Sequence, residues 1–136
     1  MLNNNLKKTI VFYDGFCPMC HFWVRYLLKN DIEKSLHFAP IQGKFGEEFI
    51  DKNKLEKIDS LIYYNPNTGI HIYSKAVYEV LRFLNLRNIY FFTLKILPFY
   101  ISTLIYKIVA RIRYKIFKPY DSCEIPSEEI LSRIIQ

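Results

Sequence analysis

Apolar positions change their spacing several times along the chain, and each change marks an element. TIVFY, residues 9–13, is a continuous run of β-formers ending at Asp14-Gly15, which predicts a short buried strand. Beyond it Cys20, Trp23, Val24, Leu27 and Leu28 recur at helical spacing to about Asn30-Asp31. Pro18 suits the first turn of that helix, where a missing N–H loses no partner. SLHFAPI predicts a second strand, and GKFGEEFIDKNKLEK a short helix with Phe45, Phe49 and Ile50 turned inward. LIYY and IHIY are strands on either side of NPNTG, a turn whose Gly69 can take a positive φ. Ser74 is placed to cap a helix with Val77, Val80, Leu81 and Leu84 on one face. After residue 86 the pattern is helical, broken at Pro98 and around KPYDSC, and Pro126-Ser127 opens a last helix with Glu128 and Glu129 at its positive end.

The order βαβαββα joins two parallel βα units to an antiparallel hairpin and a helix. It predicts an α/β fold: one mixed sheet flanked by helices. The 136 residues read as one domain, with a core over about 8–86 and a helical C-terminal extension over about 87–136. A hydrophobic content of 51% gives ample core material, and no stretch has the polar composition of a disordered linker.

Charge is unevenly distributed. Residues 80–118 carry 8 basic side chains and no acidic one, whereas residues 119–136 carry 1 basic and 4 acidic. In the basic block Ile105, Ile108, Val109, Ile112 and Ile116 share one helical face, with Lys107, Arg111, Lys115 and Lys118 on the other side. The plain expectation is a helix with a solvated basic face; a membrane surface or an anionic partner is the alternative. The longest charge-free stretch there, ILPFYISTLIY, has 11 residues at ~1.5 Å each, too short for a ~30 Å hydrocarbon core. The amino-terminal residues lack a signal-peptide pattern, so the expectation is a cytoplasmic protein without a transmembrane segment.

Cysteines bring in the chemistry. There are three, at 17, 20 and 123, too few for a secreted disulfide scaffold. YDGFCPMC sets Cys17 at the head of the predicted helix, where unpaired N–H groups and the helix dipole favour a thiolate. Cys17 is therefore expected to be exposed and acidified below ~8.5, and Cys20, on the apolar stripe, to be more sheltered. Such a pair can exchange disulfides, with Cys17 attacking and Cys20 resolving. The residues alone leave two other readings open: an inert pair, or a metal site completed from His21, His37, His71 or Cys123. No second C-x-x-C is present for a closed zinc site.

YDGFCPMC resembles the signature of the thioredoxin-like DCC family of predicted thiol-disulfide oxidoreductases. FAPIQ, IDSLIYY with SKAVYEVLRFL, and the tail from ILPFY through ARIRYKIF to DSC are similar to that family's later segments. The resemblance implies a thioredoxin-like fold and dithiol–disulfide exchange at Cys17 and Cys20 on a protein or small-thiol substrate. It favours a functional Asp14, as a proton acceptor or as a partner of the loop amides. CPMC is also similar to the glutaredoxin pattern, which makes glutathione a reductant to expect beside a thioredoxin-type donor. In one respect the chain departs from thioredoxins and glutaredoxins: Asp59-Ser60 precede the third strand where those proteins place a cis-proline.

Other residues have weaker claims. Gly15 and Pro18 shape the loop, and His21 can stabilise a thiolate or sit solvated on the helix. Arg111 and Arg113 can reach a thiolate or bound anion, and Cys123 can approach the pair or fill space. No metal, flavin, nucleotide or nucleic-acid partner is implied. The rival to an enzyme is a non-catalytic thioredoxin-like adaptor that binds a membrane surface or acidic partner through the basic helices.

Overall fold

The computed structural model describes residues 5–58, 61–86, 89–116 and 131–135. Thr9–Tyr13 forms β1, which lies between two neighbours and is buried on both faces, as its unbroken apolar run requires. Helix α1 is Pro18–Asn30, β2 is Leu36–Pro40, α2 is Lys44–Asn53, β3 is Ile62–Asn65 and β4 is Gly69–Ile72. Helices α3, Tyr73–Phe83, α4, Ile89–Ile96, and α5, Phe99–Ile116, complete the described elements. The sheet order is β2-β1-β3-β4, with β1 parallel to β2 and antiparallel to β3, and with β3 and β4 an antiparallel hairpin. This is the thioredoxin-like α/β arrangement, followed by helices.

Alternation along β1 divides the core. Ile10 and Phe12 pack with Ala39, Phe45, Phe49 and Ile62 on the α2 side. Val11 and Tyr13 pack with Val24, Leu27, Phe38 and Leu81 on the side of α1 and α3. Register supports both layers, since Val11 stands opposite Phe38 and Tyr63. Two glycines matter. Gly69 takes φ +89° in the hairpin turn, and a Cβ on Gly46 would lie 2.2 Å from the Pro40 carbonyl oxygen, so α2 seats closely on the end of β2.

The residues around Ile134 finish the sheet. Phe38 N–H donates to the Arg133 carbonyl at 2.9 Å, and Ile135 N–H to the Phe38 carbonyl at 2.8 Å, which covers part of the open edge of β2. Arg133 pairs with the buried Asp31 and donates to the Leu36 carbonyl. Asp31 also accepts from Ser35 and from Leu36 N–H. Those donors remain if the arginine is removed, so Arg133→Ala should cost only about 1–3 kcal/mol in urea unfolding. A loss below measurement would show that the pair contributes nothing to holding this edge.

One expectation fails, and α5 shows Lys107, Arg111 and Lys115 to solvent as expected but packs by an unforeseen face. Ser74 does not cap α3; the cap is Ile72, with no side-chain cap bond, and the Ser74 hydroxyl instead joins Ser102 and Thr103 of α5 at 2.9 and 2.8 Å. The apolar stripe of α5 is not its packed face. Ser102, Ala110 and Arg113 are buried, while Ile105, Ile108, Val109, Ile112 and Ile116 are 37–64% exposed. The buried face carries polar groups with particular partners, among them Tyr106, whose hydroxyl accepts from Leu61 N–H at 2.9 Å. The expected last helix and the residue pair Asp59-Ser60 lie outside the described residues.

Candidate active site

β1 ends at Tyr13, and the chain turns at Asp14 towards α1. Cys17 N–H donates to the Asp14 carbonyl at 3.2 Å, and Cys17 is the N-cap residue of α1, followed by Pro18 in the first turn. Its sulfur takes the part a serine or aspartate oxygen often plays: Cys20 N–H donates to Cys17 Sγ at 3.4 Å. Capping turns the sulfur back over the helix, and this corrects the expected exposure. Cys17 has no accessible surface and Cys20 is 7% exposed. By accessible surface the expected order is reversed, since Cys17 is the fully covered sulfur and Cys20 keeps the small remaining exposure.

The two thiols are driven apart in acidity. Cys17 is lowered to about 6, first by the hydrogen bond from the Cys20 thiol, then by the N–H of Cys20, the charge of Arg113 and the N–H of Met19. Burial opposes these effects without cancelling them. Cys20 is pushed up, first because its proton is held by Cys17, then by burial and by the Cys17 charge, with Arg113 acting in the other direction. One proton is thus shared unequally, and Cys17 carries the negative charge.

Arg113 reaches the site from α5. It is buried, with Nη1 donating to Cys20 Sγ at 3.4 Å and Nη2 to Asp14 Oδ2 at 3.3 Å. Asp14 Oδ1 accepts from Phe16 N–H at 3.0 Å and from Gln42 Nε2 at 2.7 Å. Gln42 Oε1 in turn accepts from Gly15 N–H at 2.9 Å. His21 is buried rather than solvated; its Nε2 lies 2.6 Å from the Gly15 carbonyl oxygen, and Tyr13 meets its ring edge-on. The loop from Asp14 to Cys17 is therefore held by its own Asp14, by His21 of α1 and Arg113 of α5, and by Gln42 beyond β2.

The structure brings Cys17, Cys20, Asp14, Gly15, Pro18, His21 and Arg113 together. Arg111 is not brought to them; two residues from Arg113 on the same helix, it is exposed. Cys123 lies outside the described residues. Residues 11–119 match the model of the DCC1-like thiol-disulfide oxidoreductase family. The chain belongs to that family. It is 24% identical to the uncharacterized protein YuxK of Bacillus subtilis over 99% of both chains. It is 28% identical to a chloroplastic DCC family protein of Arabidopsis thaliana, over 88% of this chain and 70% of that one. No solved structure matches the chain significantly.

Membership in a thiol-disulfide oxidoreductase family supports a redox function in general terms, and the matched span contains both the dithiol and Arg113. Gln42 is a site residue that the sequence pattern does not reveal. Its signal lay in FAPIQ, which carried family likeness but no evident chemistry. A second unforeseen feature is a hollow of about 400 Å³ bounded by α1, α3, α4 and α5. Met19, Trp23, Val80, Leu94 and Val109 contribute to its largely apolar wall, and Cys20 and Arg113 also line it. Among the described residues no cluster of three or more His, Cys, Asp or Glu side chains is placed to hold a metal.

Proposed function

We propose that the protein is a dithiol–disulfide oxidoreductase in which Cys17 attacks and Cys20 resolves. The observation that carries this reading is a dithiol at the head of α1, with Cys17 Sγ as the cap that accepts from Cys20 N–H and Arg113 donating to Cys20 Sγ. The opposed acidity of the two thiols agrees with it. The Cys17 thiolate attacks one sulfur of a substrate disulfide; a Cys17–substrate bond forms and the substrate S–S bond breaks. The leaving thiolate takes a proton. Cys20, losing its own proton, then attacks Cys17 Sγ, forms the Cys17–Cys20 disulfide and releases the second substrate thiolate. Two electrons pass from the protein to the substrate, a protein or small-molecule disulfide, and glutathione or a thioredoxin-type donor restores the dithiol.

Arg113 stabilises charge on either sulfur as it moves between them. Both oxygens of Asp14 are engaged by donors, which supports an anchoring role for it, holding Arg113 and the loop, over that of proton acceptor. Because Cys17 is covered, a disulfide reaches it only when the loop opens locally. Equilibration in a glutathione redox buffer, followed by alkylation and mass spectrometry, tests the reading. A Cys17–Cys20 bond forming and breaking at a defined potential is the expected result. A pair that stays reduced under all oxidising conditions would sink it.

A further inference from the structure

Helix α5 has three faces. Ser102, Ala110 and Arg113 form the packed one. Ile105, Ile108, Val109, Ile112 and Ile116 form an exposed apolar stripe, and Lys107, Arg111 and Lys115 follow one another at every fourth residue along the exposed flank beside it. Five exposed branched apolar side chains in 12 consecutive residues are more than scattered surface hydrophobes. They lie in a stretch, residues 80–118, whose charged side chains are all basic. With four basic side chains among its 18 residues the helix is too charged to cross a bilayer, and no described helix is long and apolar enough to do so.

We propose that α5 lies in the plane of an anionic lipid bilayer, its isoleucine stripe set among the acyl chains and Lys107, Arg111 and Lys115 reaching the headgroups. Two observations choose this occupant. The stripe and the cationic row run parallel along the same helix, the division of an interfacial helix, in which long basic side chains extend from an apolar face to phosphate. The hollow beside Cys20 also takes Ile105 and Val109 into its wall, so the exposed stripe and the apolar hollow share side chains. A protein docked this way presents the dithiol side of the fold near the lipid surface. The proposal does not depend on the redox reading, and a Cys17→Ser protein should bind lipid unchanged.

Co-sedimentation of the full chain with vesicles tests it. Binding is expected to vesicles of phosphatidylcholine mixed with phosphatidylglycerol, to weaken as salt rises, and to be far weaker to phosphatidylcholine alone. Arg111→Glu with Lys115→Glu should lower the partition coefficient by roughly fivefold or more for each cation, from a surface attraction of about 1 kcal/mol per basic residue. Ile108→Asp should lower it roughly tenfold or more by losing a buried side chain. Both variants alter exposed positions, and unchanged circular dichroism shows that they fold. Equal binding to both vesicle types would overturn the proposal, as would none to either. So would a concentration-dependent dimer, seen by analytical ultracentrifugation, that Ile108→Asp dissociates, since the stripe would then be covered by a second copy.

Discussion

A Cys17→Ser protein is expected to reduce a model disulfide no faster than buffer does. Only a thiolate attacks at a useful rate near neutral pH, and of the two sulfurs only Cys17 is lowered, to about 6. Cys20 substitutes poorly for it, because burial still pushes its thiol up once the neighbouring sulfur is gone, and Cys20 is only 7% exposed. Replacing Cys20 has a different outcome: Cys17 still attacks, but the mixed disulfide has no resolving thiol and accumulates, visible as a mass adduct on Cys17. The replacement itself matters. Cys20→Ser keeps an O–H donor beside Cys17, whereas Cys20→Ala removes the leading cause of its acidity, so the alanine variant should titrate nearer ~8.5 by thiolate absorbance. An adduct found on Cys20 of the Cys17→Ser protein, with turnover preserved, would reverse the assignment.

Arg113→Ala should combine the largest stability loss with a change in thiol chemistry. The guanidinium and the Asp14 carboxylate are both almost fully buried. Phe16 N–H and Gln42 stay on Oδ1, but Oδ2 loses the guanidinium and Cys20 Sγ loses its donor as well, a combined cost of about 3–5 kcal/mol in urea unfolding. A merely structural arginine would stop there. Arg113 also lowers Cys17 by its charge, so the variant's Cys17 should titrate higher, and Arg113→Lys should recover part of that shift but less of the paired geometry. Loss of stability with an unmoved Cys17 titration would limit Arg113 to holding the fold.

The same shifts give the reduced protein a pH signature. Cys17 is lowered on folding, so its contribution to stability is present above the unfolded value of ~8.5 and is lost as pH falls through about 6. Cys20 is raised, so its contribution is complete below ~8.5 and is lost at higher pH. Reduced protein should therefore gain stability from about pH 6 towards pH 8.5 and lose it beyond. The disulfide form has neither thiol and should show neither limb.

Local pattern was enough to place much of this molecule. The strand TIVFY, the turn at Asp14-Gly15 and Pro18 in the first turn of α1 are set by neighbours a few residues apart, and they put Cys17 at the cap and Cys20 one turn on. The βαβαββα order also followed, since each element carries its own period and the hairpin its own turn residues. Three features had no local trace. Arg113 meets Cys20 across 93 positions of sequence and Gln42 meets Asp14 across 28, and a polar side chain does not announce which distant partner satisfies it. The cover over Cys17 is the product of packing around the cap, not of residue type. The orientation of α5 ran against the simplest reading, because its periodicity shows that an apolar face exists but not what covers it. Sequence alone determined the order of elements along the chain and the dithiol at a helix head, through short-range backbone preference and apolar spacing. Tertiary packing decided which α5 face is buried and which cation reaches the sulfurs, because the partners of buried polar groups are fixed only when distant segments meet.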